Sequence, residues 1–554
     1  MTSNTKTNFV CVAVLDGWGI SAPGPGNAIS QSNTPNMNKL FASFPHTQLE
    51  ASGESVGLPR GEAGNTETGH LNIGAGKIVY QNLARINLSI ADGSFFNNQA
   101  LLNAFDFAIK NNSCVHLMGL IGAGGVHSNL EHMFALISMA KRKNFKNLYL
   151  HLFTDGRDSP PTASNVYINR IRDTIKKEGV GTIASIMGRY WAMDRDRRWD
   201  RTAKAYFALT KGQGNLVKTP EEAIQMSYQT GKTDEFIEPS LITDTTGKPL
   251  SLIKENDSVI FFNFRVDRPR QLTAAFIVDD FSDQSLSLEF DPYLEKYEKT
   301  HLLSKVDNYQ KVFERGEKIK NLYFASMTEY SNSLVSAGAK VAFAPEKIEI
   351  PVGRIISEAG LKQLRLAESE KERFVTYYFN GLKESAFDGE DRVIIPSPDV
   401  PTYDLKPEMS AYEITNKFIE LIKSESNYSF ILINFANADM VGHTGNIAPA
   451  VKAVETVDDC IGKIANTVLA YNGTLLVVAD HGNVEEMINA QSGQIDTEHS
   501  TSPVPFICVG NQFLGNSQQL QSGILADIAP TVLKLLNLEV SLEMNGRNLL
   551  DSLK

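Results

Sequence analysis

The sequence predicts an α/β protein with largely parallel sheets, and three observations lead there. Short apolar, β-branched runs recur and end in Gly, Asp or Asn: residues 9–17 (FVCVAVLDG), 114–122 (CVHLMGLIG), 148–156 (LYLHLFTDG), 259–265 (VIFFNFR), 430–437 (FILINFAN), 474–482 (TLLVVADHG) and 504–510 (VPFICVG). Helical patterns lie between them. In 450–470, Val454, Val457, Ile461, Ile464 and Val468 are spaced 3, 4, 3, 4 and make one apolar helix face. Polar, chemically capable residues then crowd at or just after the strand ends, where open α/β sheets gather ligands. They include Asp16, His127, Asp155, Arg157, Arg265, Asp439, Asp480 and His481.

At 554 residues the chain is long for one core, so about two to four domains are expected. Hydrophobic residues at 42% and charged residues at 21% describe an ordinary globular composition. The cysteines (Cys11, Cys114, Cys460, Cys508) stand far apart, mostly in apolar runs, and read as reduced core residues of a cytoplasmic protein. The N-terminal apolar run FVCVAVL ends at Asp16 with no small-residue cleavage site, and no stretch reaches the ~18 apolar residues of a membrane span. A net charge of −11 argues against a nucleic-acid surface. An anionic substrate would need a local cluster of positive charge.

Between residues 439 and 499 the chain concentrates hard metal ligands. Asp439 and His443 form a D-x-x-x-H pair in NFANADMVGH, Asp480 and His481 follow the apolar run TLLVVADH, and His499 lies in TEHSTSPVP. These oxygen and nitrogen donors suit Zn²⁺ or Mn²⁺. Five ligands exceed one four-coordinate centre and fall short of two. Asp16 in LDGWG adds a carboxylate at a strand mouth. Thr66, in the glycine-dense loop GEAGNTETGHLNIGAG (61–76), adds a hydroxyl that a metal could turn into a nucleophile toward phosphorus. Seven ligands suffice for two centres, and paired metals stabilise both oxygens of an in-line phosphoryl displacement.

Each residue has a plainer reading taken alone. Asp16 could be a turn aspartate, the Thr66 loop a polar turn, Asp439 with His443 an i,i+4 pair, and His499 a surface histidine. Asp480-His481 stands out, because charge directly after a buried strand has no packing reason.

The middle of the chain supplies cations: Arg157 with Asp158 in TDGRDSPP, Arg189 and Arg195 in GRYWAMDRDRRWDR, and Arg265 and Arg268 in FFNFRVDR. Guanidinium forks fit phosphate and carboxylate bidentately. Arg197, Arg198 and Arg201 read as a solvated or ion-paired face. GAGGVHS (122–128) is superficially like a dinucleotide loop, but His127 stands where a third glycine is needed, so a nicotinamide site is rejected. His127 reads as a hydrogen-bond or proton donor to an oxyanion, or as a turn cap.

Metal ligands near 16 and after 438, with arginines between 127 and 268, predict a domain built from both chain ends (1–82 and 318–554) around an inserted one (83–317). The charged region 280–320 would be a helical connection back into the first domain.

LDGWG, GNTETGHLNIGAG, GGVHS, TDGRDSPP, GRYWAMDRDRRWDR, FFNFRVDR, LRLAESEK, YDLKPEMSAYE, NFANADMVGH, VVADHGN and HSTSPVP occur in this order from about residue 9 to 550. Together they resemble the cofactor-independent phosphoglycerate mutases of the alkaline phosphatase superfamily. The resemblance implies an alkaline-phosphatase-like metal domain with an inserted α/β phosphotransferase domain. It implies one metal on Asp439, His443 and His499, and another on Asp16, Thr66, Asp480 and His481. The ions would be Mn²⁺, with Zn²⁺ or Co²⁺ as alternatives, and bisphosphoglycerate would not be needed. His127, Arg157, Asp158, Arg189, Arg195, Arg265 and Arg268 would grip phosphoglycerate, and Lys371 would reach the transferring phosphate.

The implied reaction interconverts 3- and 2-phosphoglycerate through phospho-Thr66, with Asp158 moving protons on the glycerate hydroxyls, in a monomer without nucleic-acid or membrane partners. The family loop usually carries serine where Thr66 stands. Threonine keeps the oxygen but adds a methyl and restricts χ1. The rival readings are a metal-dependent phosphatase or phosphodiesterase, a phosphopentomutase, and a non-catalytic metal- or phosphate-binding protein.

Overall fold

The computed structural model describes residues 8–281, 311–424, 426–489 and 492–553. Strands are numbered β1 to β16 along the chain. Two compact units result, one taking in the chain up to Gln81 and from Glu346 onward, the other Asn82–Pro345. The α/β class expected from the apolar runs is the class observed, and all seven runs contain strands.

The first unit holds β1 (Val10–Leu15), β2 (His46–Glu50), β11 (Lys362–Glu368), β12 (Glu390–Ile395), β13 (Tyr428–Phe435), β14 (Thr474–Val478), β15 (Val504–Gly510) and β16 (Gly523–Ile524). They form one sheet in the order β12-β11-β13-β1-β14-β15-β2-β16. β1 lies centrally, parallel to both neighbours, with Val12 opposite Leu432 and Leu476. Such a strand is covered on both faces, which is why VCVAVL is apolar throughout and fully buried. The helix Ile447–Ala470 packs with Val454, Val457, Ile461, Ile464 and Val468 all buried, as their spacing requires.

β15 runs antiparallel to β14. That reversal brings the residues preceding β15 to the edge where the parallel strands β1, β13 and β14 end. His499 reaches that edge from this side.

The second unit holds β3 (Val115–Ile121), β4 (Leu148–Thr154), β5 (Thr182–Gly188), β6 (Asn215–Val217), β7 (Ser240–Ile242), β8 (Ser258–Phe261), β9 (Tyr323–Thr328) and β10 (Lys340–Phe343). Their order is β10-β9-β8-β3-β4-β5-β7-β6, parallel except where β7 meets β5.

A fully buried polar chain links β3, β4 and β5 to Asp257, the residue just before β8. The Asp257 carboxylate accepts from His116 Nε2 (3.2 Å), which leaves His116 Nδ1 to accept from His151 Nε2 (2.9 Å). His151 Nδ1 accepts in turn from the Ser185 hydroxyl (2.8 Å). The chain is satisfied end to end, and burial holds the His151 pKa well below its ordinary value.

The return to the first unit differs from the expected residue 318. β9 pairs in parallel with β8, and β10 with β9, so the chain after 318 adds two strands to the second sheet and crosses back only at 346. Most of the expected helical connection, 282–310, lies outside the described residues.

Candidate active site

Every ligand expected in the first unit arrives at the carboxyl edge of its sheet. Asp16 follows β1 in a turn where Gly17 adopts φ +76°, and a Cβ on Gly17 would lie 2.7 Å from the Asp439 Cα. Only glycine meets both demands. Asp439 sits in the short helix Asn437–Gly442 after β13, Asp480 and His481 follow β14, and Lys371 closes the turn after β11. Thr66 opens the helix Thr66–Ala75, whose N-cap Asn65 accepts from the Thr68 N–H. A helix N-terminus stabilises negative charge placed on its first residues.

The side chains converge tightly. Thr66 Oγ1 lies 3.1 Å from Asp16 Oδ1, 3.0 Å from His481 Nε2 and 3.1 Å from Lys371 Nζ. Lys371 also donates to Asp16 Oδ1 (2.9 Å) and Asp439 Oδ2 (2.7 Å). On the other flank, Asp439 Oδ1 is 3.2 Å from His443 Nε2 and 3.1 Å from His499 Nε2. His481 Nε2 stands between the groups, 3.2 Å from Asp16 Oδ1 and 3.8 Å from Asp439 Oδ1. Asp480 lies farther back, its Oδ1 3.9 Å from His481 Nε2.

The imidazoles show what this cage is built to hold. His443 Nδ1 points at the Thr497 carbonyl (2.7 Å), His499 Nδ1 at the Gly64 carbonyl (2.8 Å) and His481 Nδ1 at the Gly482 carbonyl (3.2 Å). A carbonyl only accepts, so each Nδ1 carries a proton and Nε2 is the atom turned inward, where it could meet a metal. His443 and His499 thus face each other Nε2 to Nε2 at 3.1 Å, an arrangement a cation relieves. The donor set fits divalent metal ions: imidazole nitrogen and carboxylate oxygen around a hydroxyl, with no sulfur.

The acids answer the same field. Burial works against an ionised Asp16, but Lys371 holds its carboxyl below the usual range. Asp439 is held well below that range for the same reason, with His443 and His499 helping. Burial would also discharge Lys371, yet Asp16, Asp439 and Asp480 keep it above its ordinary value. His481, although buried, is pushed up to about 10 by Asp480, Asp16 and Asp439. The cage attracts positive charge from every side.

Sequence reading missed the residues that hold these ligands in place. His70 points Nδ1 at the Thr66 carbonyl (3.0 Å), and its Nε2 lies 3.2 Å from Asn434 Nδ2, which donates to Asp16 Oδ2 (2.8 Å). Glu485 accepts from the Gly19 N–H (3.0 Å), the Asn483 N–H (2.9 Å) and the Ser500 hydroxyl, tying together three ligand-bearing loops. The only sequence signals were a histidine four residues after Thr66 and an acid just beyond DHGN.

The expected arginines gather at the corresponding edge of the second sheet. Asp155, after β4, organises them: it accepts from the backbone N–H of Arg157 (3.2 Å) and Asp158 (3.1 Å), from the Ser159 hydroxyl (2.9 Å) and from Arg189 Nη1 (2.6 Å). Arg189 Nη1 also meets Asp158 Oδ2 at 2.5 Å, and its Nη2 donates to His127 Nε2 (3.0 Å). Burial, reinforced by Arg189, pushes His127 down to about 3, so it is neutral. Asp158 stays below its ordinary value despite partial burial, because Arg189 donates to it. Arg195 and Arg265 flank Asp267, while Arg268 donates to the Met193 carbonyl (3.1 Å). Burial, with Arg189 and Arg195 nearby, pulls Arg268 down to about 10. Arg157 is more exposed, 3.7 Å from Glu235. Arg198 and Arg201 pair with Asp194 (3.4 and 3.7 Å), as a charged face should.

A third set of metal-capable groups, Cys114, His116 and Asp257, belongs to the buried polar chain of the second unit. Its carboxylate is already taken by the backbone N–H of Cys114 (3.0 Å) and Lys254 (3.0 Å) as well as by His116. Burial and Asp257 push the Cys114 thiol up, away from the thiolate a metal needs. It serves as a strut.

The fold and the chemistry of the two clusters are those of a metal-dependent phosphoryl-transfer enzyme. Residues 86–332 match the family model described as "BPG-independent PGAM N-terminus". The chain is 48% identical over 537 residues to the 2,3-bisphosphoglycerate-independent phosphoglycerate mutase of Moorella thermoacetica, covering 97% of each chain. It is 47% identical to phosphoglycerate mutase 1 of that type from Methanosarcina barkeri, again with 97% of each covered. Among solved structures, the Leishmania mexicana phosphoglycerate mutase at low cobalt concentration matches with a TM-score of 0.56 and 28% identity, over 99% of this chain and 98% of that one. The chain belongs to the 2,3-bisphosphoglycerate-independent phosphoglycerate mutase family.

Proposed function

We propose that this enzyme interconverts 3-phosphoglycerate and 2-phosphoglycerate through a phospho-Thr66 intermediate, without bisphosphoglycerate. The observation that carries this reading is the setting of the Thr66 hydroxyl. It lies within 3.1 Å of Asp16, His481 and Lys371 at the N-terminus of a helix.

Two divalent ions, Mn²⁺ in our reading with Zn²⁺ or Co²⁺ as alternatives, would be held by Asp439, His443 and His499 and by Asp16, Thr66, Asp480 and His481; they would supply Lewis-acid charge and lower the hydroxyl pKa. Thr66 Oγ1 gives up its proton and attacks phosphorus in line, its own O–P bond forming as the bond to the glycerate oxygen breaks and that oxygen takes up a proton, so the step is proton-neutral overall. Lys371 donates to the phosphoryl oxygens, and the helix N-terminus offsets the charge left on Thr66. The arginines of the second unit keep the glycerate, whose other hydroxyl then takes the phosphoryl group back. Asp158, held ionised by Arg189, accepts the proton of that attacking hydroxyl. Neutral His127 contributes a hydrogen bond and no charge.

The methyl of Thr66 fixes χ1, so the oxygen is preorganised but has less freedom than a serine hydroxyl. The free cysteines support a reducing compartment such as the cytoplasm. Among the described residues no helix is long and apolar enough to cross a membrane.

The test is purified protein with 3-phosphoglycerate and Mn²⁺ in the absence of bisphosphoglycerate. Appearance of 2-phosphoglycerate is expected. Release of inorganic phosphate alone would make the enzyme a phosphatase, and no turnover would make it a binding protein.

A further inference from the structure

Asp267 lies between two of the arginines assigned to the substrate. Its Oδ2 takes Arg195 Nη1 at 2.7 Å, and its Oδ1 lies 3.3 Å from Arg265 Nε. The Asp267 side chain is 8% exposed, while the Arg195 and Arg265 side chains are 37% and 39% exposed. The acid therefore sits beneath the two arginine side chains. His127 Nδ1 stands 3.8 Å from Asp267 Oδ1, too far for a hydrogen bond, and both buried atoms lack a hydrogen-bond partner. Burial disfavours the charged carboxylate, but Arg265 and Arg195 keep it ionised.

A carboxylate placed this way has two effects. It fixes the direction of two guanidinium forks, and it cancels part of the charge that attracts an anion. A reversible mutase needs both, because its two phosphoglycerates must bind, turn over and leave with similar ease. Transition-state stabilisation gains nothing from an anion held too firmly in the ground state.

We propose that Asp267 is a positioning residue that aims Arg195 and Arg265 and limits how tightly the cluster grips an anion. The inference rests on the proposed assignment of this cluster to phosphoglycerate. Removing the charge should strengthen anion binding and slow turnover, whereas loss of a mere structural prop would weaken binding.

The experiment titrates the full-length, metal-loaded protein with inorganic phosphate and with 3-phosphoglycerate by calorimetry, alongside steady-state kinetics, for wild type, Asp267→Asn and Asp267→Glu. The metal cage is common to all three, so differences report on the cluster. Asp267→Asn should bind inorganic phosphate about tenfold tighter and lose about tenfold in kcat, without a rise in KM. Asp267→Glu should move both quantities back toward wild type.

Weaker binding of both anions with a raised KM and unchanged kcat would overturn the proposal, as would no change at all. If Asp267→Asn does not fold, Asp267→Ser carries the same expectations. Arg195→Ala and Arg265→Ala test the underlying assignment. If neither weakens 3-phosphoglycerate binding, the substrate site lies elsewhere and both readings fall. If both weaken it while Asp267→Asn does not tighten phosphate, only the role of Asp267 falls.

Discussion

The first unit collects carboxylates and imidazoles, and the second collects guanidiniums, yet both do so at the carboxyl edge of an eight-stranded, mostly parallel sheet. In the first, the Nε2 atoms of His443 and His499 face each other at 3.1 Å beside the Asp439 carboxylate. In the second, burial together with Arg189 and Arg195 pulls Arg268 down to about 10. On the proposed assignment, a cation would relieve the first edge and an anion the second. The same architecture serves opposite ligands because strand ends fix position while side chains alone choose the sign of charge.

Breaking the first edge should have the largest effect. Thr66→Ala is expected to lower kcat by about 10⁴-fold or more, with Thr66→Ser active, since no neighbouring atom replaces the lost oxygen. Transfer of labelled phosphate from 3-phosphoglycerate to the protein checks this directly. Chelation of the metals should abolish turnover as completely and reversibly, with Mn²⁺ restoring it. Retained turnover in metal-free protein, verified by elemental analysis, would remove the cage from the chemistry.

The second edge should respond differently. Arg268→Ala is expected to raise KM by about 100-fold while metal content stays at the wild-type level, because a charge-assisted contact to the substrate is lost. If metal content fell instead, the two edges would not be the separate devices described above.

A smaller effect should come from the buried chain behind the second edge. Asp257→Ala leaves His116 and two backbone N–H groups without an acceptor and should lower stability by about 3 kcal/mol, with kcat nearly intact. Urea unfolding together with the mutase assay reads both quantities.

The smallest effect concerns pH. Burial pushes His132 down to about 3, whereas an unfolded histidine titrates near 6.5. Its contribution to stability is complete above pH 6.5 and is lost as pH falls toward 3, because only the unfolded chain accepts the proton. At pH 5 the loss is about 2 kcal/mol, and His132→Gln should flatten that part of the pH dependence.

Much of this was legible in the sequence, for physical reasons. Asp16, Asp480 and His481 follow apolar strands, and charge there is conspicuous. The arginines were visible because three separate motifs carried them. Their organisers were not. His70 lies inside a helix among Leu71 and Ile73 and reads as a core histidine until folding brings Asn434 beside it. Asp267, one residue before Arg268, reads as a spacer until Arg195 arrives from 72 positions away. Glu485 looks like a surface acid, although glycines at 19 and 482 make room for its carboxylate. The boundary at 318 failed for a similar reason: a charged stretch resembled an ending, but NLYFASMT pairs with a strand 65 residues earlier, which local composition does not reveal.

The central position of β1 has a consequence for synthesis. Its partners β13 and β14 lie more than 400 residues later in the chain, whereas the second sheet needs nothing from outside 82–345. On the ribosome the arginine cluster can therefore be complete while the threonine loop is still waiting for its histidines. A product truncated before β13 would hold the arginines and lack the candidate ligands of the cage from Asp439 onward, so on the proposed mechanism Thr66 becomes reactive only when synthesis is nearly finished.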